Sequence, residues 1–186
     1  MQNDLLSRSE RLATLKRLRD FFNAHNSQTL KEAYDAFSLE HSIDEDELEI
    51  LFNRYFVGPM EPIADPFASV YIDDPQSVMT QSTLHVRSLY ETMGFFYPLK
   101  NIVPEDHIGV ELDAYYQLIY LEEVKNVAYL SELRYYFFHE HIAVWMPQLI
   151  ERAMHGRSEG DNAIHFILNE LKSFLIRETT TTRSHE

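Results

Sequence analysis

Three chemically active side chains stand together at Glu105, Asp106 and His107, directly after Pro104. Carboxylates and a histidine at the start of a helix can form charge-assisted hydrogen bonds to an arginine or to the backbone of a bound peptide. The same residue types also cap helices and compensate the helix dipole. The segment is therefore a candidate recognition site, with simple helix capping as the alternative.

Histidines and one glutamate offer a second kind of chemistry. His107 and Glu111 lie four residues apart, so in a helix they share one face and could bind one metal ion. His139 and His141 lie two apart, which separates them by about 200° around a helix axis, so they cannot share an ion. A helical metal-dependent enzyme would need His107, Glu111 and His141 to meet through folding.

Other familiar catalytic patterns are missing from the sequence. It contains no cysteine, which excludes disulfides, thiolate metal sites and a cysteine nucleophile. The five glycines form neither of the glycine-rich motifs that bind nucleotide phosphates. No serine between Ser69 and Ser88 has the flanking glycines of a nucleophile elbow. The motifs therefore point to recognition more than to catalysis.

The charge of the chain is strongly negative and uneven. The net charge is −14, which makes nucleic acid an improbable ligand because phosphate binding needs a basic face. Between Lys31 and Asp74 there are twelve carboxylates, against only Lys31 and Arg54. This acidity indicates either a well-solvated surface or a surface that steers a basic peptide toward the protein.

The elements that must position these residues are helices. Apolar residues recur at helical spacing, and no segment shows the two-residue alternation that is typical of strands. We therefore predict an all-α fold: a single-domain helical bundle of about seven or more helices over residues 1–178, followed by a disordered tail at 179–186. The predicted helices begin near Ser7, Ser27, Asp44, Asp74, Pro104, Asn126 and Asn162. Within that pattern, Pro147 either kinks a helix or opens a new one.

A long proline-rich loop interrupts the helices between Gly58 and Pro75. It contains four prolines, which remove backbone donors and prevent a helix from running through. The loop also carries Phe67 and Tyr71. A loop of this length inside a compact domain is usually functional or flexible, and the alternative is a connector whose two aromatic side chains pack on the core.

The sequence shows neither the pattern of an export signal nor that of a membrane span. Residues Met1 to Asp20 carry charges and no apolar run, so they do not have the form of a signal peptide. No stretch of about 18 apolar residues is present, so we expect no stable insertion into a membrane.

Four stretches in order resemble the TorD/DmsD/NarJ family of redox-enzyme maturation chaperones. They are Phe52-Asn-Arg-Tyr-Phe-Val-Gly-Pro59, Pro66-Phe-Ala-Ser-Val-Tyr71, Pro104-Glu-Asp-His-Ile-Gly-Val-Glu-Leu112 and Phe138-His-Glu-His-Ile-Ala-Val-Trp-Met-Pro147. The third is similar to the family pattern E-P-D-D-H-L-G-x-E-L. The resemblance covers roughly residues 50 to 150.

The resemblance implies an all-α cytoplasmic chaperone that is not an enzyme and has no cofactor. Members of the family recognise the twin-arginine leader, or another part, of a molybdopterin oxidoreductase and hold it until the cofactor is inserted and export is permitted. Some members form homodimers by swapping helices, and weak guanine-nucleotide binding has been proposed for some. The resemblance does not name the client enzyme.

A twin-arginine leader combines arginines with an apolar run, so its binder needs acids beside an aromatic groove. We therefore predict that a helical peptide contacts residues drawn from the matched stretches, and that Asp106→Ala weakens binding at least tenfold without unfolding the protein. The predicted peptide-binding residues are Tyr55, Phe56, Phe67, Tyr71, Pro104, Glu105, Asp106 and His107. Besides the metal-dependent enzyme, a permanent scaffold subunit with an aromatic surface is the other hypothesis.

Overall fold

The prediction of an all-α fold is confirmed. The structure is a computed structural model that describes residues 2–37, 42–74, 77–96, 102–156 and 162–183, with side chains from residue 9 to 180 of these ranges except 162. Within them the only pairing of extended backbone is an isolated bridge between Phe67 and His107. The helices are α1 Gln2–Phe22, α2 Ser27–Asp35, α3 Glu45–Phe56, α4 Ser69–Ile72, α5 Gln81–Met93, α6 Ile108–Ile119, α7 Leu130–Phe137, α8 Ala143–His155 and α9 Asn162–Arg183.

The core lies between α1, α6 and α9. Helix α1 packs on α2, α6 and α9, and α8 packs on α4 and α9. A continuous set of buried apolar side chains runs through all these elements, from Leu15 to Leu175. The helices hold together because each turns one apolar stripe toward this common core. The largest fully buried side chains are aromatic: Trp145, Tyr55, Tyr115, Phe21, Phe137, Phe138 and Phe174.

Two π-helical turns interrupt the regular α-helices. One, Tyr120–Val124, follows α6, and the other, Phe138–Ile142, joins α7 directly to α8. Such turns occur frequently at functional sites, and the second one carries the buried His141. Pro147 lies inside α8 after this turn, so it does not begin a new helix.

Several predicted helix ends are wrong. The helix expected from Asp74 begins only at Gln81, and Pro75 lies outside the described residues. Met79, which falls within the helix expected from Asp74, is 67% exposed and has φ of 62°, a left-handed backbone that cannot belong to a helix. At the other end of the chain, α9 continues to Arg183 and so includes residues 179–183.

The proline loop is packed against the core. Among the described residues between α3 and α5, only α4 is helical. The N–H of Ile63 bonds the carbonyl of Arg54, and the N–H of Ala64 bonds that of Tyr55. Gly58 has φ of 121°, which favours glycine and lets the chain turn sharply after α3.

None of the helices in the described ranges is both long enough and apolar enough to cross a membrane.

Candidate functional site

The proline loop and the start of α6 are joined by backbone hydrogen bonds. The N–H of Ala68 donates to the carbonyl of Asp106 at 3.0 Å, and the N–H of Ile108 donates to the carbonyl of Pro66 at 2.8 Å. These two bonds flank the bridge between Phe67 and His107. Two of the stretches that the sequence marks as motifs therefore form one structural unit.

Asp106 holds this unit together from inside. Its side chain is fully buried, and Oδ2 accepts a hydrogen bond from the N–H of Ser69 at 2.9 Å. The carboxylate thus lies at the N-terminal end of α4, where the helix dipole favours a negative charge. Its other oxygen, Oδ1, is buried with no hydrogen-bond partner in the described part of the chain.

The expected helix start at Pro104 is therefore corrected. Helix α6 begins at Ile108, so Glu105 and Asp106 lie before it and not in its first turn. Glu105 is buried, and its two oxygens accept hydrogen bonds from Nε and Nη2 of Arg87 at 2.7 and 3.0 Å. Because Arg87 lies on α5, this bidentate pair attaches α5 to the segment before α6.

His107 is the capping residue of α6. Its Nδ1 accepts a hydrogen bond from the N–H of Gly109 at 3.1 Å, and its ring meets Phe67 edge to face with centroids 5.3 Å apart. Burial lowers the pKa of His107 to about 4, although the charge of Asp106 opposes this shift. The imidazole is therefore neutral at physiological pH, which suits its role as a hydrogen-bond acceptor.

Glu111 and His141 do meet, but as a hydrogen-bonded pair. His141 Nε2 lies 2.7 Å from one oxygen of Glu111, and Trp145 Nε1 donates to the other at 2.8 Å. Burial raises the pKa of Glu111. Burial lowers the pKa of His141, but the carboxylate of Glu111 and other nearby acids outweigh it, so the pKa is raised.

This arrangement bears on the metal-site hypothesis. The Nδ1 of His107 is occupied by Gly109, and both oxygens of Glu111 are bonded. Across the described ranges, no group of three or more His, Asp or Glu side chains is arranged to hold a metal ion. The three residues of that hypothesis therefore serve as a helix cap and a buried hydrogen-bonded pair.

The predicted aromatic residues divide into two sets. Tyr55 and Phe56 are buried in the core, and the hydroxyl of Tyr55 lies 3.1 Å from Nε2 of His165. They cannot touch a peptide at the surface of this conformation. Phe67 and Tyr71 are half-buried beside the motif unit. The structure thus brings Phe67 against His107, places Tyr71 against Trp145, and leaves Tyr55 and Phe56 inside.

An apolar groove, not predicted from the sequence, lies at the start of the proline loop. Its volume is about 580 Å³, and it runs between the end of α3, the start of the proline loop and the end of α8. Its apolar lining includes Ile50, Met60 and Ile63, and two side chains of opposite charge, Arg54 and Glu61, line it as well. Ile50 and Met60 are 67% and 82% exposed. One feature of the sequence could have indicated the groove: Ile50 is apolar but lies off the buried stripe of α3.

An exposed apolar groove on an all-helical protein, such as this one, is a surface of the kind that can accept an amphipathic helix. Residues 14–151 match the model of the nitrate reductase delta subunit family, which covers well over half of the chain. The chain therefore belongs to this family of NarJ/TorD-type redox-enzyme maturation chaperones. Its members are chaperones and not enzymes, which contradicts the hypothesis of a metal-dependent enzyme.

A curated relative agrees with this membership. The chain is 29% identical over 105 residues to the probable Tat proofreading chaperone DmsD of Haemophilus influenzae. The match covers 54% of this chain and 46% of that protein, so it spans about half the length of each. The resemblance of the four motif stretches to this family is confirmed.

Proposed function

We propose that this protein is a cytoplasmic chaperone that binds the twin-arginine leader of a molybdoenzyme precursor, and that it holds the precursor until its cofactor is inserted and export is permitted. The observation that carries the proposal is the groove of Ile50, Met60 and Ile63, which is open to solvent and has Glu61 in its lining. Family membership supports the same class of function.

The chemistry of the groove suits such a leader. A twin-arginine leader places arginines before an apolar run. As a helix, that run would lay one apolar face into a groove of this kind. A volume of about 580 Å³ accommodates a few apolar side chains, and the net charge of −14 would draw a basic peptide toward the surface.

The predicted peptide-binding residues then take two roles. Phe67, Tyr71, Pro104 and His107 are partly exposed and remain proposed peptide contacts. The remaining four are buried and support the surrounding fold: Tyr55, Phe56, Glu105 and Asp106.

The direct test is a calorimetric titration with two synthetic peptides. One carries two adjacent arginines followed by an apolar run, and the other carries glutamines in place of both arginines. We expect the arginine peptide to bind at least tenfold more tightly, because charged partners in an interface typically contribute about 2–5 kcal/mol when buried. Equal affinities, or no binding of either peptide, would contradict the proposal.

The client is identified by a second experiment. The tagged protein is captured from its own host grown without oxygen, and the retained proteins are identified by mass spectrometry. Recovery of a molybdoenzyme precursor with its leader intact is expected. Recovery of none, in cells shown to make such an enzyme, would count against the chaperone role.

Two further properties of the family extend the proposal. We propose the loop from Gly58 to Pro75 as a hinge for homodimers that exchange helices, since long hinges permit such exchange. Light scattering of the purified protein would separate monomer from dimer. The chain lacks the glycine-rich phosphate motifs, so its sequence gives no independent support for weak guanine-nucleotide binding. Titrating GTP into the same sample tests for that binding directly.

A further inference from the structure

Arg152 lies at one end of the apolar groove. It is on α8, four residues before Gly156, which lines the groove. Its guanidinium lies between two carboxylates of the proline loop: Nη2 is 3.7 Å from Glu61 and Nη1 is 3.7 Å from Asp65. Glu61 therefore belongs both to the groove and to this cluster of charges.

The contacts of Arg152 are long in comparison with other arginines of the protein. Arg87 holds Glu105 at 2.7 and 3.0 Å, and Arg11 holds Glu178 at 2.6 and 2.5 Å. Charge-assisted hydrogen bonds of this type are normally about 2.7–2.9 Å long. At 3.7 Å, Arg152 is close enough to neutralise the two acids but is not firmly bonded to them.

The exposure of these side chains makes the contact easy to break. The side chains of Arg152 and Glu61 are 39% and 86% exposed, and that of Asp65 is 23% exposed. Ion pairs in such positions contribute little to stability, because water competes for both charges. Releasing Arg152 into solvent therefore costs the fold little.

Asp65, in contrast, is held in place. Its carbonyl accepts a hydrogen bond from the hydroxyl of Tyr71 at 2.9 Å, and the ring of Tyr71 packs 5.7 Å from that of Trp145. Trp145 is fully buried. The backbone that carries Asp65 is thus fixed to the core, and its carboxylate would stay in position when Arg152 leaves.

We propose that Arg152 occupies, in the free protein, the place that an arginine of a client peptide takes between Glu61 and Asp65 when the apolar part of the peptide enters the groove. The inference rests on the proposed function and adds a regulation of the same site. A peptide must then supply both a guanidinium and an apolar run to displace Arg152, so the internal arginine makes binding more selective.

The test measures the affinity of the same two peptides for the wild-type protein and for Arg152→Gln. We expect the variant to bind the arginine peptide about fivefold more tightly. The peptide then no longer has to break an exposed ion pair of Arg152, and its arginine is no longer repelled by the like charge of Arg152. The affinity for the glutamine peptide is expected to change less than twofold. Arg177→Gln is the matched control, because it removes the same charge from an exposed position on α9.

Glu61→Gln provides a second variant. It removes one of the two acids, so the arginine peptide is expected to bind more weakly, and the gain from Arg152→Gln is expected to shrink in the double variant. The urea midpoint of each variant checks that the fold is retained.

The outcomes separate the two proposals. If the wild type prefers the arginine peptide but Arg152→Gln binds it equally or more weakly, the placeholder role of Arg152 is overturned and the proposed function stands. If Arg177→Gln gives the same gain, the effect is one of net charge and the placeholder role is again overturned. If the wild type does not distinguish the two peptides, the proposed function itself fails.

Discussion

The carboxylate of Asp106 accepts a hydrogen bond from the backbone N–H of Ser69, 37 positions earlier in the chain, at 2.9 Å. The bond joins the proline loop to the segment before α6. The acid that the sequence marks for contact with a ligand thus acts as an internal clamp on the loop that lines the groove.

Asp106→Ala is expected to destabilise the protein and to weaken leader binding at least tenfold. The substitution leaves the buried N–H of Ser69 without an acceptor, which costs about 1–3 kcal/mol of unfolding free energy. A loosened loop also presents the groove less well. Urea unfolding and calorimetry measure the two effects. Asp106→Asn keeps an acceptor oxygen and should lose less stability and less affinity. An unchanged affinity of Asp106→Ala for the leader would show that this hydrogen bond does not contribute to binding.

His107 makes the protein sensitive to acid. Its pKa is about 4 in the folded protein because of burial, against about 6.5 in the unfolded chain. The unfolded state therefore takes up a proton first, and stability falls as the pH drops from about 6.5 toward 4. His107→Asn keeps a capping acceptor and removes the titration, so its urea midpoint should fall less over this range. Parallel curves for both proteins would rule out His107 as the cause.

The hydrogen-bonded pair of Glu111 and His141 makes stability depend on pH in the opposite sense to His107. The pKa of His141 is raised by Glu111, so its stabilising contribution is complete below the unfolded value of about 6.5 and is lost as the pH rises through the folded value. The wild type should therefore lose stability on the alkaline side. In His141→Gln, which keeps a donor for Glu111, that decline should be shallower in unfolding curves recorded across this range. A decline as steep as in the wild type would contradict the assignment.

Gly109→Ala is expected to destabilise the protein by about 1–3 kcal/mol through overpacking. A Cβ at this position would lie 2.3 Å from Oδ1 of Asn23 and 3.0 Å from the backbone carbon of Phe22. Asn23 also donates to the carbonyl of Gly109 at 2.8 Å, so α1 and α6 approach closely here. Thermal unfolding measures the loss. Gly109→Ala combined with Asn23→Ala should recover only part of it, because the backbone contact remains.

Met60→Ser is expected to weaken binding of the arginine peptide about tenfold with little loss of stability. Met60 lines the groove and is 82% exposed, so its removal subtracts apolar contact area from the complex and not from the core. Ile176→Ser is the control, since Ile176 is 58% exposed on α9 and does not line the groove. Equal affinity changes in the two variants would argue against binding in the groove.

The sequence alone determined the all-helical fold and much of its core. Leu48, Leu51, Phe52 and Tyr55 recur at helical spacing, and all four are buried on one face of α3. The sequence also predicts that this helix begins near Asp44, and the side chain of Asp44 caps α3 by accepting a hydrogen bond from the N–H of Asp46. These features depend on residues within a few positions of one another, so local periodicity and capping are enough to predict them.

The order of the four motif stretches also carried the family resemblance, and the family model agrees. The sequence did not determine what the motif residues do. Asp106 has the residue type of a surface recognition acid, yet its partner is Ser69, and only the packing of the loop on α6 buries it. A helix start at Pro104 was predicted because local propensity cannot see that competing contact.

The groove was decided by tertiary structure alone. Ile50, Met60 and Gly156 come from α3, the proline loop and the end of α8, and no spacing in the sequence relates them. Arg152 also lies far along the chain from Glu61 and Asp65, its two partners in space. Periodicity indicates which face of a helix is buried, but a site between elements depends on how their faces are brought together, which is fixed only when the whole core packs.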